Sequence, residues 1–248
     1  MGLSWWVTTS IVAAPQIVLL KYDIQTERTK AQMATHTDPQ RIIDICKLLH
    51  QKNYIAAGDG NISFRQDESR VIITPTGKHK GFIQSADLAM VSINGETIRG
   101  FPSSETQMHL AVYRASDDAR FVIHAHPPTA IAWSIARPQL KEIPVDAISE
   151  VILGIGAIPV VPYARPGTDA MGEAIQPFVR KNRVMILARH GALSWGETLE
   201  EAYNGIERLE HSCLILKAAV ELGGITPLPA AEVAVLREMR GRLGPQSR

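Results

Sequence analysis

Two histidines two residues apart, His124 and His126, close the apolar, β-branched run Phe121-Val122-Ile123 and are followed at once by Pro127-Pro128. On a strand, alternate side chains share a face, so both imidazoles project together. The prolines end the strand and leave the pair at its mouth. Two neutral ring nitrogens so placed can grip one divalent cation. A single buried histidine is ordinarily a hydrogen-bonded core residue; a spaced pair at a strand end asks for a third ligand. His190 is the candidate, standing between the apolar run 184–188 and Gly191. Alone it would read as a turn histidine. Three imidazoles with one coordination position open make a catalytic site rather than a closed structural one.

Glu105 follows Ser103-Ser104 and precedes the apolar stripe Met108, Leu110, Ala111, Val112 and Tyr113. It is expected in the first turn of a helix, where the backbone dipole favours negative charge. By composition alone it is an ordinary helix acid; beside a metal it becomes a fourth ligand or a general base. Three small polar loops, at Gly60-Asn61, Thr76-Gly77 and Ser103-Ser104, offer backbone N–H groups and short polar side chains. Singly they are common turns; converging near a helix N-terminus they would bind an anion. Lys78, His79 and Lys80 either add positive charge there or form a solvated cluster. Tyr163, in a loop stiffened by two prolines and a glycine, either packs as an aromatic or gives a proton to a developing alkoxide.

The elements that must position these groups are readable from periodicity. Asp38-Pro39 starts a helix over 39–52, with an N-cap and a proline at the first helical position. Strands are expected at 62–65 and 70–74 as a hairpin, at 89–93 before the Asn94-Gly95 turn, at 121–125, at 157–161 and at 184–188. Pro159 marks the 157–161 strand as an edge. Helices are expected after Ser104, from Thr129, at 169–176, at 199–222 and at 230–242, whereas 148–153 has no clear assignment. Strands joined by short turns and interleaved with helices predict an α/β fold: three layers, α-β-α, around a central, mainly antiparallel mixed sheet.

Composition narrows the function classes. The 248 residues carry a formal net charge of +1 and no long basic run, so electrostatics give no support to a nucleic-acid partner. Cys46 and Cys213 are the two cysteines, with no CxxC pair, as expected in a reducing, cytoplasmic compartment. The apolar stretch 5–20 lacks a preceding positive region, is short for a membrane span and is interrupted by Pro15, so no membrane association is expected. Residues 1–32 are expected as either a non-native or misassigned N-terminal extension or a surface-docked tail, and 33–248 as a single domain. An ordinary first strand or helix is the alternative for the extension.

Taken in order, Gly58-Asp-Gly-Asn61-Ile-Ser63, Thr74-Pro-Thr76-Gly77, Ser103-Ser-Glu105-Thr-Gln-Met108-His109, Val122-Ile-His124-Ala-His126-Pro-Pro128 and Arg189-His190-Gly191 resemble the class II aldolase/adducin family over roughly residues 39–220. The resemblance implies metal ligation by His124, His126 and His190, with zinc expected and manganese, cobalt or iron also suited to imidazole. It implies Glu105 as the catalytic carboxylate, Tyr163 as proton donor, and a phosphate cradle of Asn61, Thr76, Gly77, Ser103 and Ser104. The implied reaction is cleavage of a short ketose 1-phosphate to dihydroxyacetone phosphate and an aldehyde, as in the family's fuculose-phosphate branch. Its partners would be a small sugar phosphate and further copies of the chain, in a homotetramer with active sites between subunits. The alternatives are a pentulose-phosphate 4-epimerase, a methylthioribulose-1-phosphate dehydratase-like enzyme, which Lys78-His-Lys80-Gly81 resembles, and a non-catalytic adducin-like module. No tyrosine follows Tyr203 to match one that the fuculose branch carries near its C-terminus.

Overall fold

Apolar residues at helical spacing start the described part of the chain. The structure, a computed structural model, describes residues 38–243; the expected extension 1–32 lies outside them. In α1 (Asp38–Gln51), Ile42, Ile43, Cys46 and Leu49 recur every three or four residues and are all buried, as a one-sided apolar stripe requires.

Eight strands form one sheet. They are β1 (Asn61–Arg65), β2 (Arg70–Ile73), β3 (Ala89–Ser92), β4 (Thr97–Arg99), β5 (Phe121–Ala125), β6 (Val160–Val161), β7 (Val184–Leu187) and β8 (Gly191–Gly196), in the order β4-β3-β2-β1-β5-β8-β7-β6. Every pairing is antiparallel except β6 with β7. The β1–β2 turn is closed by Asp67, whose Oδ1 accepts from the amides of Ser69 and Arg70 at 3.0 and 2.9 Å. The remaining helices are α2 (Thr106–Ala115), α3 (Pro128–Ala136), α4 (Ser149–Gly154), α5 (Asp169–Val179), α6 (Leu199–Glu221) and α7 (Ala230–Arg242).

The two faces of the sheet are sorted by strand alternation. Ile62, Phe64, Ile123, Ile186 and Ala192 pack with α1, α3 and α6 in one core cluster. Val122, Met185, Leu187, Leu193 and Trp195 pack with α2 and α5 in a second. The expected three-layer architecture with a mixed, mainly antiparallel sheet is therefore present. The same alternation places Asn61, Ser63 and His124 on the face that α2 covers.

Three local details differ from the sequence reading. The edge strand begins at Val160 instead of Ala157, because Pro159 has no N–H to give; its carbonyl instead accepts from the Ile186 amide at 2.9 Å. β8, Ala192-Leu193-Ser194-Trp195 between two glycines, was not expected as a strand, yet it lies between β5 and β7 with all six residues buried. The unassigned stretch 148–153 folds as α4.

Candidate active site

Register brings the polar residues together. β1 and β5 pair so that Asn61 stands opposite His124, and β5 and β8 pair so that Ala125 stands opposite Ala192. Gly60, at φ +67°, turns the chain into β1 where a Cβ would lie 2.5 Å from Ile55 Cγ2. His126 follows the end of β5, its amide donating to the Tyr54 carbonyl at 2.6 Å. His190 ends the tight connection from β7 to β8. There Arg189 adopts φ +61°, and its amide donates to Ser134 Oγ at 2.8 Å. The ligand atoms of His124, His126 and His190 lie within 4.8 Å of one another.

The donor chemistry of this cluster fits a divalent cation. His124 Nδ1–H donates to the Ala192 carbonyl at 2.9 Å, which leaves its Nε2 as the free lone pair. That atom lies 3.0 Å from Nε2 of His126, a distance at which two bare lone pairs repel unless a proton or a cation lies between them. Burial, with the neighbouring imidazoles next in weight, holds His124 well below its ordinary pKa. Burial likewise lowers His126 and His190. All three rings are thus disposed to be neutral, as metal ligands must be. His190 Nδ1 is buried without a hydrogen-bond partner.

Glu105 reaches into the same space. It is the N-cap of α2, one residue before the helical turn expected for it, and its amide donates to Ser103 Oγ at 3.3 Å. Its carboxylate lies 3.2 Å from His124 Nε2 and 3.3 Å from His190 Nε2. A buried carboxylate touching two of three convergent imidazoles can complete a coordination sphere or carry a proton.

The expected anion loops are adjacent. The Thr76 amide donates to the Phe101 carbonyl at 3.1 Å and the Ser103 amide to that of Thr74 at 3.2 Å, which lays Thr76-Gly77 beside Ser103-Ser104. Neither the Gly77 nor the Ser104 amide donates to another described residue. Asn61 sits deeper than the other loop residues, with its Oδ1 accepting from His109 at 2.5 Å and its Nδ2 donating to Glu105 at 2.8 Å. Tyr163 stands apart: it is 61% exposed and makes no hydrogen bond to a described residue. Its loop still borders the cradle, since a Cβ on Gly167 would lie 3.7 Å from Ser104 Cβ.

Three residues escaped the sequence reading as site residues. Lys80, offered there as part of a basic or solvated cluster, is 2% exposed, and its ammonium donates to the carbonyls of Gly58 and Lys78 at 2.8 and 3.0 Å. It therefore ties the Asn61 loop to the Gly77 loop. Burial pushes its pKa down, against the pull of Cys46, Asp59 and Glu105. Asp59 lies 3.7 Å from His126 Nδ1. His109, part of a motif but without a role there, is fully buried. The carbonyl contacts of Lys80 depend on a loop path that no spacing rule predicts. Glu105 and His109, four residues apart on a helix, carried a usable signal.

The chain is similar to known proteins. The Class II Aldolase and Adducin N-terminal domain matches residues 40–216. An L-fuculose phosphate aldolase of Methanococcus vannielii is 36% identical over 173 residues, 70% of this chain and 92% of the relative. A 3-oxo-tetronate 4-phosphate decarboxylase of Escherichia coli is 32% identical over 201 residues, 78% of this chain and 92% of the relative. Among solved structures, an L-fuculose 1-phosphate aldolase superposes with a TM-score of 0.72 at 28% identity, covering 82% of this chain and 97% of its own. Among the described residues no helix is long and apolar enough to cross a membrane.

Proposed function

Because the chain belongs to the class II aldolase and adducin family and is an enzyme of that family, we propose that it is a metal-dependent aldolase. It cleaves a short ketose 1-phosphate, of the L-fuculose 1-phosphate kind, into dihydroxyacetone phosphate and an aldehyde. The observation that carries this reading is the meeting of three imidazoles and a buried carboxylate beside loops with undonated amides. His124, His126 and His190 would hold the cation, with zinc proposed. When bound, it would supply Lewis acidity toward the ketose carbonyl and its neighbouring hydroxyl, worth several kcal/mol of barrier.

The chain's own groups then divide the work. Thr76, Gly77, Ser103 and Ser104, with Asn61 beside them, bind the phosphate. In the condensation direction Glu105 removes a proton from C3 of dihydroxyacetone phosphate. As the C3–C4 bond forms, the Tyr163 hydroxyl delivers a proton to the aldehyde oxygen. Cleavage runs these steps in reverse. The family resemblance supports a homotetramer with its sites between subunits, which would cover the exposed Phe82, Phe101 and Tyr163.

A second reading follows from the relatives named as 3-oxo-tetronate 4-phosphate decarboxylases. Loss of carbon dioxide from a 3-oxo acid phosphate needs the same stabilised enolate. Incubation with a panel of ketose 1-phosphates and 3-oxo acid 4-phosphates, with and without chelator, separates the two by product. Dihydroxyacetone phosphate supports the aldolase, and carbon dioxide the decarboxylase. Full turnover in metal-free Glu105→Gln protein would defeat both.

A further inference from the structure

We infer that His109 is a positioning residue that, through the Asn61 amide, fixes the orientation of the Glu105 carboxylate. The inference rests on the reading of Glu105 as the proton carrier. His109 lies one turn after Glu105 on α2, so both side chains descend on the sheet face that carries Asn61 and Ser63. A buried chain joins them: Glu105 Oε2 to Asn61 Nδ2 at 2.8 Å, Asn61 Oδ1 to His109 Nε2 at 2.5 Å, His109 Nδ1 to Ser63 Oγ at 2.6 Å and Ser63 Oγ to the Tyr113 hydroxyl at 2.8 Å.

Chemistry permits only one set of donors along this chain. An ionised carboxylate only accepts, so the Asn61 NH₂ must face Glu105. Asn61 Oδ1 then faces His109, whose Nε2 must carry the hydrogen. The Nδ1 lone pair accepts from the Ser63 hydroxyl, and the Ser63 oxygen accepts from Tyr113. Every bond thus donates toward Glu105.

Without His109, the buried Asn61 oxygen has no donor, and only the carboxylate still holds the other end of the amide. The amide can then swing toward another donor and release the carboxylate, whose alignment with substrate would be lost. Burial lowers His109 to a pKa of about 3, so the ring stays neutral through the working pH range and does not itself carry protons. Asn61, Ser63, His109 and Tyr113 are all buried, so solvent does not substitute for a lost partner.

The test compares His109→Leu, which removes the donor, with His109→Gln, whose amide N–H falls near the place of Nε2. For zinc-loaded enzyme, His109→Leu should lower kcat about 10- to 100-fold, with KM within about threefold and zinc content unchanged. His109→Gln should recover most of the loss, and His109→Leu combined with Glu105→Gln should be no worse than Glu105→Gln alone. ¹⁵N NMR of the parent enzyme should show a neutral Nε2–H imidazole at His109, a readout that survives if His109→Leu does not fold. Losses that add in the double variant, a glutamine variant as poor as the leucine one, or an Nδ1–H imidazole would overturn the positioning role while leaving Glu105 intact. An active Glu105→Gln enzyme would remove the carboxylate reading itself, and the positioning role with it.

Discussion

Gly191→Ala probes the histidine cluster without touching a ligand. Gly191 has an ordinary backbone conformation, so the added methyl acts through space alone. Its Cβ would stand 2.6 Å from the Ala125 carbonyl oxygen, 2.7 Å from His124 Cε1 and 2.9 Å from His126 Cδ2. Real Cβ contacts essentially never fall under 3.0 Å, and the first partner is backbone in the β5–β8 ladder, which cannot swing aside. The strands must part by several tenths of an ångström, and both imidazoles must tilt. Overpacking of this kind costs about 1–3 kcal/mol. For a chain of this size that is roughly 2–4 °C of Tm per kcal/mol. The larger effect falls on the metal, since tilting two of three ligands should weaken zinc binding about 10- to 100-fold. Zinc titration with a competing chelator, alongside calorimetry, measures both. Gly241→Ala is the control: it lies on α7, its Cβ meets nothing within 4 Å, and its backbone is helical. Parental zinc affinity and turnover in Gly191→Ala would refute the claim that this glycine makes room for the cluster.

Acid should destabilise the protein in a defined window. His109 is lowered by burial to about 3, while an unfolded histidine titrates near 6.5. Between those values the unfolded chain binds the extra proton, so stability falls as pH drops below about 6.5 and is unaffected by this group above about 7. At pH 5 the loss from His109 alone is on the order of 2 kcal/mol. Urea unfolding of parent and His109→Leu proteins at both pH values should show the shallower pH slope in the variant. Glu210, buried on α6, accepts from the Thr129 and Ala130 amides at 2.9 Å and so caps α3, which begins two residues after His126. Glu210→Ala should cost about 2 kcal/mol in the same assay and weaken zinc binding; no change in either would show that the cap is dispensable. Ser104→Ala should raise KM several-fold with kcat little changed, measured by steady-state kinetics on the phosphorylated substrate.

Much of the site could be read along the chain because its signals are local. Alternation at 121–126 put His124 and His126 on one side of a strand, and Pro127-Pro128 ended that strand. Ser103-Ser104 ahead of an apolar stripe announced a helix start beside Glu105. The order of five short motifs named the family. Other features had no local signal. β8 has glycines at both ends and only four residues between them, and it becomes a strand because β5 and β7 complete its hydrogen bonds on either side. Lys80 looks like a surface charge until two loop carbonyls turn inward to receive it.

Periodicity and turn chemistry thus determined most of the strands and helices, β8 and α4 among the exceptions, and which residues share a face. They did not determine which faces meet. The pairing of Asn61 with His124, the return of His190 to them and the descent of α2 onto β1 all depend on registers between segments far apart in sequence. Those registers are chosen by burial on both sides of the sheet at once, a property of the packed chain and of no single segment.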